Sequence, residues 1–481
     1  MASEHVDVLV VGAGLAGIGS ACQVRERMPG SSVAILEARG AIGGTWDVHR
    51  YPGVRSDSDM YTLGYSFRPW SRPEVIAEGA AIREYILDTA RERGVDGLVR
   101  FHHRVVAAAW DSATTRWTVT IEHGADTVTM TCGFLFSCAG IFQTERGHTP
   151  DFPGMERFAG EIVHPQQWPE SLDWTGKRVA VVGSGATAVT LVPALAEKAA
   201  HVTMVQRSPG YVVAVGSRDP IADLLRKVLP GRVAYPVLRW KNALFALSFF
   251  RLARRRPELV RRIIRWGVRR QLPAGYPVDK HFKPAYDPWT QRVCFAADGD
   301  LFRALRSGRA SVVTDHIDTF TERGLAMASG EHVDADLVVT ATGPSVVPFG
   351  GIALTVDGAR VDYADTVTYK GMMLSGVPNL AIGIGYTNAS WTLKIDLTAR
   401  YVCRLLAHMR DRGLRQVTPL APGPEVPLAP FVDFGSTYVR RGIASMPRQG
   451  AVTPWRLPQN YARDVALLGR GPVDDAGVRF R

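Results

Sequence analysis

Two glycine-rich turns in this 481-residue chain have the spacing of phosphate cradles. The first, Gly12-Ala13-Gly14-Leu15-Ala16-Gly17, follows the apolar run VDVLVV and opens a small-residue helix reaching to about Arg27. The run reads as a buried parallel strand. The glycines permit a tight turn and let a pyrophosphate approach the helix N-terminus. A second apolar run, Val33 to Leu36, ends in Glu37, 20 positions after Gly17. A carboxylate there accepts a hydrogen bond from a ribose 2′-hydroxyl and repels a 2′-phosphate, so this unit takes FAD or NAD rather than NADPH.

The second turn, Gly183-Ser184-Gly185-Ala186-Thr187-Ala188, follows the run RVAVV and precedes a helical stretch to Lys198 and a strand from Val202 to Val205. Here the acid's place is read as basic: Arg207 lies 19 positions after Ala188. A guanidinium grips a 2′-phosphate with two parallel hydrogen bonds, which favours NADPH. Ser208 and Thr187 are candidate phosphate holders, and equally ordinary helix-start residues. One site of each ribose preference implies hydride passing from a nicotinamide to a flavin.

The elements around these turns follow from composition and period. Gly43-Gly44-Thr45-Trp46 and the run Arg50 to Asp57 are rich in glycine, proline and aromatics, hence an ordered loop. Trp46, Tyr51 and Tyr61 would be costly if exposed. Glu74 to Arg93 reads as an amphipathic helix and Val99 to Ile121 as meander strands. FLFSCAG (134–140) and DLVVTATG (336–343) are two strands with small-residue ends, expected where the chain leaves and re-enters the first unit. Phe158 to Pro169, FAGEIVHPQQWP, is expected to be an irregular linker between the units. Asn379 to Asn388 reads as a strand and turn, and Leu393 to Met409 as a helix. The tail from Pro419 shows no chemistry, although Trp455 and Tyr461 suggest that it packs.

The fold class expected is therefore α/β, with two Rossmann-like dinucleotide-binding domains and a helical insert. The boundaries are 1–150 for the first part of the FAD domain and 151–215 for the first part of the NADPH domain. The insert is 216–290, and the two domains resume over 291–335 and 336–481 respectively. Length and near-neutral mean hydropathy suit a globular protein of two or three domains. Five dispersed cysteines without a CxxC disfavour a disulfide framework, a zinc site or a disulfide reductase. The polar N-terminus leads directly into a strand, so a cytoplasmic location is expected. The net charge of +11 is local: residues 216–271 carry 15 Arg and Lys against Asp219, Asp223 and Glu258, and the remainder is near neutral. The insert roofs the active site as a solvated subdomain or rests on the inner face of a membrane; nucleic acid is not an expected partner. Its apolar run from Ala243 to Leu252 is too short to span a bilayer.

The motif Phe-x-Gly-x-x-x-His-x-x-x-Trp-Pro, met by Phe158, Gly160, His164, Trp168 and Pro169, resembles the fingerprint of Baeyer–Villiger monooxygenases. Further runs, among them GTWD, RYPG, RSDSDMYTLGYSFRPW, GSGATAVTLVPALA, RWKN, GYTNASWTLK and TPWRL, are similar to the ethionamide-activating branch of class B flavin monooxygenases over essentially the whole chain. The resemblance implies insertion of oxygen beside a ketone carbonyl to give an ester or lactone, with side activity on thioethers or thioamides, using FAD, NADPH and molecular oxygen. It implies flavin contacts at Gly44, Thr45, Trp46 and Asp57. Asp57 and Arg292 match the family's active-site pair, and His164 the role of an interdomain organiser. The family often has Lys where this chain has Gln291, which leaves the ribose phosphate more dependent on Arg207.

If those roles hold, Arg292 stabilises a developing oxyanion because it stays charged at any relevant pH, and Asp57 holds it by a charge-assisted pair. The rival within the chemistry is a flavin-containing monooxygenase oxidising nitrogen or sulfur; Tyr or Phe at position 168 would favour it. A rival of another class is a non-catalytic, membrane-associated flavin redox sensor. Substrate identity and oligomeric state have no signature in these spacings.

Overall fold

The fold is that of a computed structural model describing residues 4–432 and 435–481. Its first unit is a nine-stranded mixed sheet. The strands Val33–Leu36, Glu4–Val11 and Asp126–Ser137 lie side by side in parallel, with Leu380–Ile382 parallel to the far side of Asp126–Ser137. Asp126–Ser137 shows how one sequence serves two settings. Its first half is exposed and pairs antiparallel with Arg116–His123 in a meander. Its last four residues, FLFS, are all buried, Phe134 and Phe136 in the core shared with the helices Leu15–Arg27 and Trp391–Asp411 and Leu135 in the core shared with the meander strands. A continuous apolar run suits a strand covered on both faces, and an alternating one suits a half-solvated hairpin.

The second unit is a five-stranded, all-parallel sheet in the order Ala310–Thr314, His201–Gln206, Arg178–Val182, Leu337–Thr340, Glu161–Val163. The expected α/β architecture with two parallel-sheet units is thus present. The stretch 158–169 is not wholly irregular, however. Glu161–Val163 forms the edge strand beside Leu337–Thr340, because that strand's outer edge would otherwise leave its amides and carbonyls unpaired.

Two further expectations shift. The helix read from Glu74 begins at Gly79 and runs to Glu92. Residues 75–77 are instead held by the backbone before them, Val75 O accepting from Met60 N at 2.8 Å and Ala77 O from Ser56 N at 3.0 Å. The loop after Gly43 contains one helical turn, Thr45–Val48.

Residues 220–271 form three helices, Pro220–Val228, Gly231–Arg255 and Pro257–Gln271. Asp219 caps the first by accepting from the Ile221 and Ala222 amides, and each of the outer two starts with proline, whose missing N–H costs nothing there. The middle helix packs against both others. It is anchored inward by Arg239, which donates to Tyr61 O at 2.9 Å and Gly64 O at 2.6 Å and pairs with Asp396 at 2.7 Å. Asp396 belongs to the long helix Trp391–Asp411, so this buried pair ties the three helices to the first unit.

Candidate functional site

The first glycine turn is built by close backbone contacts. Gly12 has φ of 100°, and a Cβ there would lie 2.7 Å from Cys138 O. Gly14 caps the helix Leu15–Arg27, and Gly17 sits inside it, where a Cβ would come within 1.8 Å of Gly12 O. Gly44, with φ of 55°, approaches Gly14 so closely that its own Cβ would stand 2.7 Å from Gly14 Cα. Gly43 N donates to Ala13 O at 3.1 Å, so the Gly43-Gly44 turn is zipped onto the glycine loop. Thr45 is exposed, and Trp46 packs against the first core.

Glu37 is buried at the end of its strand and accepts from Ala13 N at 2.7 Å and Arg39 N at 2.8 Å. Burial pushes its carboxyl up, against the pull of those two amides. Each oxygen retains a lone pair for a ribose hydroxyl. The turn Gly383–Tyr386 lies alongside, with Gly383 near Cys138 Sγ and Ala16 Cβ, and leads to the N-terminus of Trp391–Asp411. There Ser390 Oγ and Thr392 Oγ1 are buried without a protein partner. A cradle that only glycine permits, an acid at the strand end and two orphaned hydroxyls at a helix N-terminus fit a flavin dinucleotide. These hydroxyls escaped sequence reasoning; their only signal was a polar pair opening a long helical pattern.

The second turn repeats the first. Gly183, φ 147°, would place a Cβ 2.4 Å from Ala341 O, and Gly185 caps the helix Ala186–Leu195 with open space where its Cβ would stand. Gly183 N donates to Val205 O at 2.8 Å just as Gly12 N donates to Leu36 O at 2.7 Å. This shared bond shows that Gln206, not Arg207, is the residue equivalent to Glu37. Gln206 is buried and committed to His281 O and Thr314 Oγ1, both at 2.8 Å. Arg207 stands one residue beyond the strand, exposed and without an ion pair among the described residues. Ser184 Oγ donates to Ser208 O at 3.1 Å, drawing the Arg207-Ser208 corner over the glycine turn. Ala186 and Thr187 form the first turn of the helix, where their amides are free of intrahelical partners. This surface fits a phosphorylated ribose.

The loop from Arg50 to Asp57 joins the two units. Tyr51 is buried in the second unit's core, and Gly53 faces Thr190 O, where a Cβ would be 2.6 Å away. Two ion pairs of opposite polarity follow. Arg55 pairs with Asp300 at 2.5 Å, and Asp57 takes both the Nε and Nη2 of Arg292, at 2.7 and 2.5 Å. The adjacent Asp57 charge raises the Arg292 pKa further above its ordinary value. The loop's root is Asp47, a buried carboxylate bound by Arg39, Arg50 and Arg83. Although burial opposes it, those guanidiniums hold its carboxyl below the usual range.

Trp289, three residues before Arg292, has φ of 67° and a buried Nε1 without a partner, and the rings of Phe249 and Phe250 meet it edge-on. A bulky residue in the left-handed region is a strained one. The tail also reaches this place. Gly435 N donates to Thr290 O at 2.8 Å, and Tyr438 packs on Phe142, which in turn stacks on Trp391. The tail thus packs as expected, and Asp464 also holds the buried Lys394 at 2.9 Å.

In the linker motif, Phe158 lies in the second unit's core, and Gly160 leaves no room for a Cβ beside Asp336 O and the Phe158 ring. Trp168 meets Trp174 edge-on at 5.8 Å. His164 accepts from Gln166 N through Nδ1 at 3.1 Å, and its Nε2 is buried and unpartnered. Gly147 lies against its ring, where any side chain would collide. Burial depresses the His164 pKa, and that of His49, which stands near it, falls to about 4 for the same reason. Sequence reasoning missed His49. Four groups of residues thus converge: the first turn, the 50–57 loop, the Trp289–Arg292 segment and the motif. Arg207 lies on the second turn, apart from the Asp57–Arg292 pair in the hydrogen-bond network.

The family model for flavin-binding monooxygenase-like proteins matches residues 6–407. The FAD-containing monooxygenase EthA of Mycobacterium tuberculosis H37Rv is 50% identical over 479 residues, covering 99% of this chain and 98% of that protein. EthA of Mycolicibacterium smegmatis is 48% identical, covering 99% and 97% respectively. A crystal structure of OTEMO with FAD and NADP is similar with a TM-score of 0.72 at 26% identity, over 87% of this chain and 88% of that one. An oxidized steroid monooxygenase bound to NADP gives 0.77 at 23% identity over 99% of each.

Proposed function

The chain belongs to the flavin-binding monooxygenase-like family, and from that premise we propose that it is an FAD- and NADPH-dependent monooxygenase converting ketones to esters or lactones with molecular oxygen. Thioethers are a second substrate class for the same site. Support comes from relatives that are FAD-containing monooxygenases and from a similar structure that binds FAD and NADP. The first glycine turn, with Glu37, is assigned to FAD, and the second, with Arg207 and Ser208, to NADPH. When bound, the flavin accepts hydride from the nicotinamide and activates oxygen.

The carrying observation is the bidentate Asp57–Arg292 pair across the two units. With Nε and one Nη engaged by Asp57, the guanidinium keeps further N–H donors for an oxyanion. It cannot quench an anion by giving up a proton, because the Asp57 charge raises its pKa further. Asp57 is a positioning residue on this reading, and Arg292 the catalytic one. His164 and His49 are neutral organisers at the domain junction rather than proton donors. Arg292→Ala tests the assignment: flavin bleaching by NADPH is retained and ester is lost. Normal ester formation by that variant would overturn it. Product analysis on ketones and thioethers, with oxygen uptake, ranks the two substrate classes.

A further inference from the structure

Twelve of the fifteen large apolar side chains exposed among the described residues lie between Ile221 and Trp266. Each of the three insert helices shows such side chains at helical spacing. Leu224 and Val228 are 60% and 64% exposed on the first, Phe245 is 71% exposed on the second, and Ile263 and Trp266 are 49% and 61% exposed on the third. The middle helix packs against both neighbours, so the three form one contiguous array. Scattered exposed hydrophobes are ordinary, but a concentration of this kind marks an interaction surface.

The same segment carries the chain's charge surplus, 15 basic against three acidic residues. Two of those acids are already engaged, Asp219 by Lys241 and Glu258 by Arg261. Arg232, Arg251, Arg255, Arg256 and Arg262 are exposed and have no ion pair among the described residues. Arg270 lies over the Trp266 ring at 4.8 Å, placing a cation beside an exposed aromatic. No helix among the described residues is long and apolar enough to cross a membrane.

We infer that this face docks on an anionic lipid surface, its apolar side chains in the headgroup–acyl boundary and its arginines on the lipid phosphates. An interfacial helix needs both parts, apolar area for insertion and cations for attraction to anionic lipid. A second copy of the chain does not fit, because its matching face would carry the same surplus of positive charge. A nucleic acid would leave Phe245 and Trp266 against phosphates. The buried Arg239–Asp396 pair holds the middle helix to the protein, so the face is a rigid platform.

The test uses the full-length, FAD-loaded protein floated with phosphatidylcholine vesicles and with vesicles containing phosphatidylglycerol. Comigration with the anionic vesicles at low salt, reduced by high salt, is expected, with little on the neutral ones. Phe245→Ser with Trp266→Ser, and separately Arg251→Glu with Arg255→Glu, are expected to weaken binding by about tenfold or more. All four side chains are exposed, so flavin absorbance and NADPH oxidation are retained and show that the variants fold. Three results would overturn the inference. They are no comigration with anionic vesicles, binding by both double variants as tight as the parent's, and a lipid-free self-association that the same substitutions abolish.

Discussion

Replacing Asp57 by Asn changes a carboxylate to an amide with almost no change in volume, which makes it the sharpest probe of the site. The carboxylate receives two charge-assisted hydrogen bonds from Arg292, at 2.7 and 2.5 Å. Asn keeps one acceptor and turns a donor toward a guanidinium N–H. Hydrogen bonds to charged groups contribute about 1.5–3 kcal/mol each. The Asp57 and Arg292 side chains are 20% and 40% exposed, so solvent screening places the loss at the low end, about 1.5 kcal/mol or roughly tenfold. The loss falls on the step in which Arg292 must be aimed, not on hydride delivery. Asp57→Asn is therefore expected to bleach its flavin with NADPH as the parent does, yet form product roughly tenfold more slowly and with a lower yield per NADPH, the remaining oxygen appearing as hydrogen peroxide. Anaerobic stopped-flow absorbance and product quantification measure the two halves. An unchanged product yield, or a loss equally deep in flavin bleaching, would refute the positioning argument.

Arg207→Glu is expected to raise KM for NADPH by at least about tenfold while leaving NADH nearly untouched, since only a 2′-phosphate meets the reversed charge; steady-state kinetics with both coenzymes check it. Asp396→Ala leaves the Arg239 guanidinium buried with carbonyl partners only, a change expected to cost about 3–5 kcal/mol and to lower the thermal midpoint by several degrees. His281 is buried and His49 half-buried, both neutral, their pKa values brought by desolvation from 6.5 to about 4. The unfolded chain takes up protons at these rings first, so stability declines as pH falls from 6.5 to about 4 and these rings add no further loss below that. Urea unfolding across that range is expected to show the decline, and His281→Phe to flatten it.

Much of the site was legible because its logic is local. A glycine that must lack a Cβ, such as Gly12 or Gly17, lies within a few residues of the strand and helix that impose the requirement. Counting along the chain pairs Arg207 with Glu37, whereas the strand register puts Gln206 there, since the second unit's helix and connection are shorter. Glu161–Val163 was hidden within an irregular-looking stretch because its partner, Leu337–Thr340, is remote in sequence and supplies the pairing.

The amino-acid sequence by itself determined two glycine-rich dinucleotide cradles and a basic, helical segment with apolar residues at helical spacing. Those features rest on side-chain type, charge and short-range period, which need no knowledge of distant contacts. Resemblance alone pointed to Asp57 with Arg292, and the tertiary structure supplied the bidentate geometry across 235 residues; only the tertiary structure decided that Asp47 gathers three arginines and that the tail returns to Trp289–Arg292. It alone showed which apolar residues of the insert face outward. Such facts depend on how separately folded sheets and helices pack against one another, and no short window of sequence contains both partners.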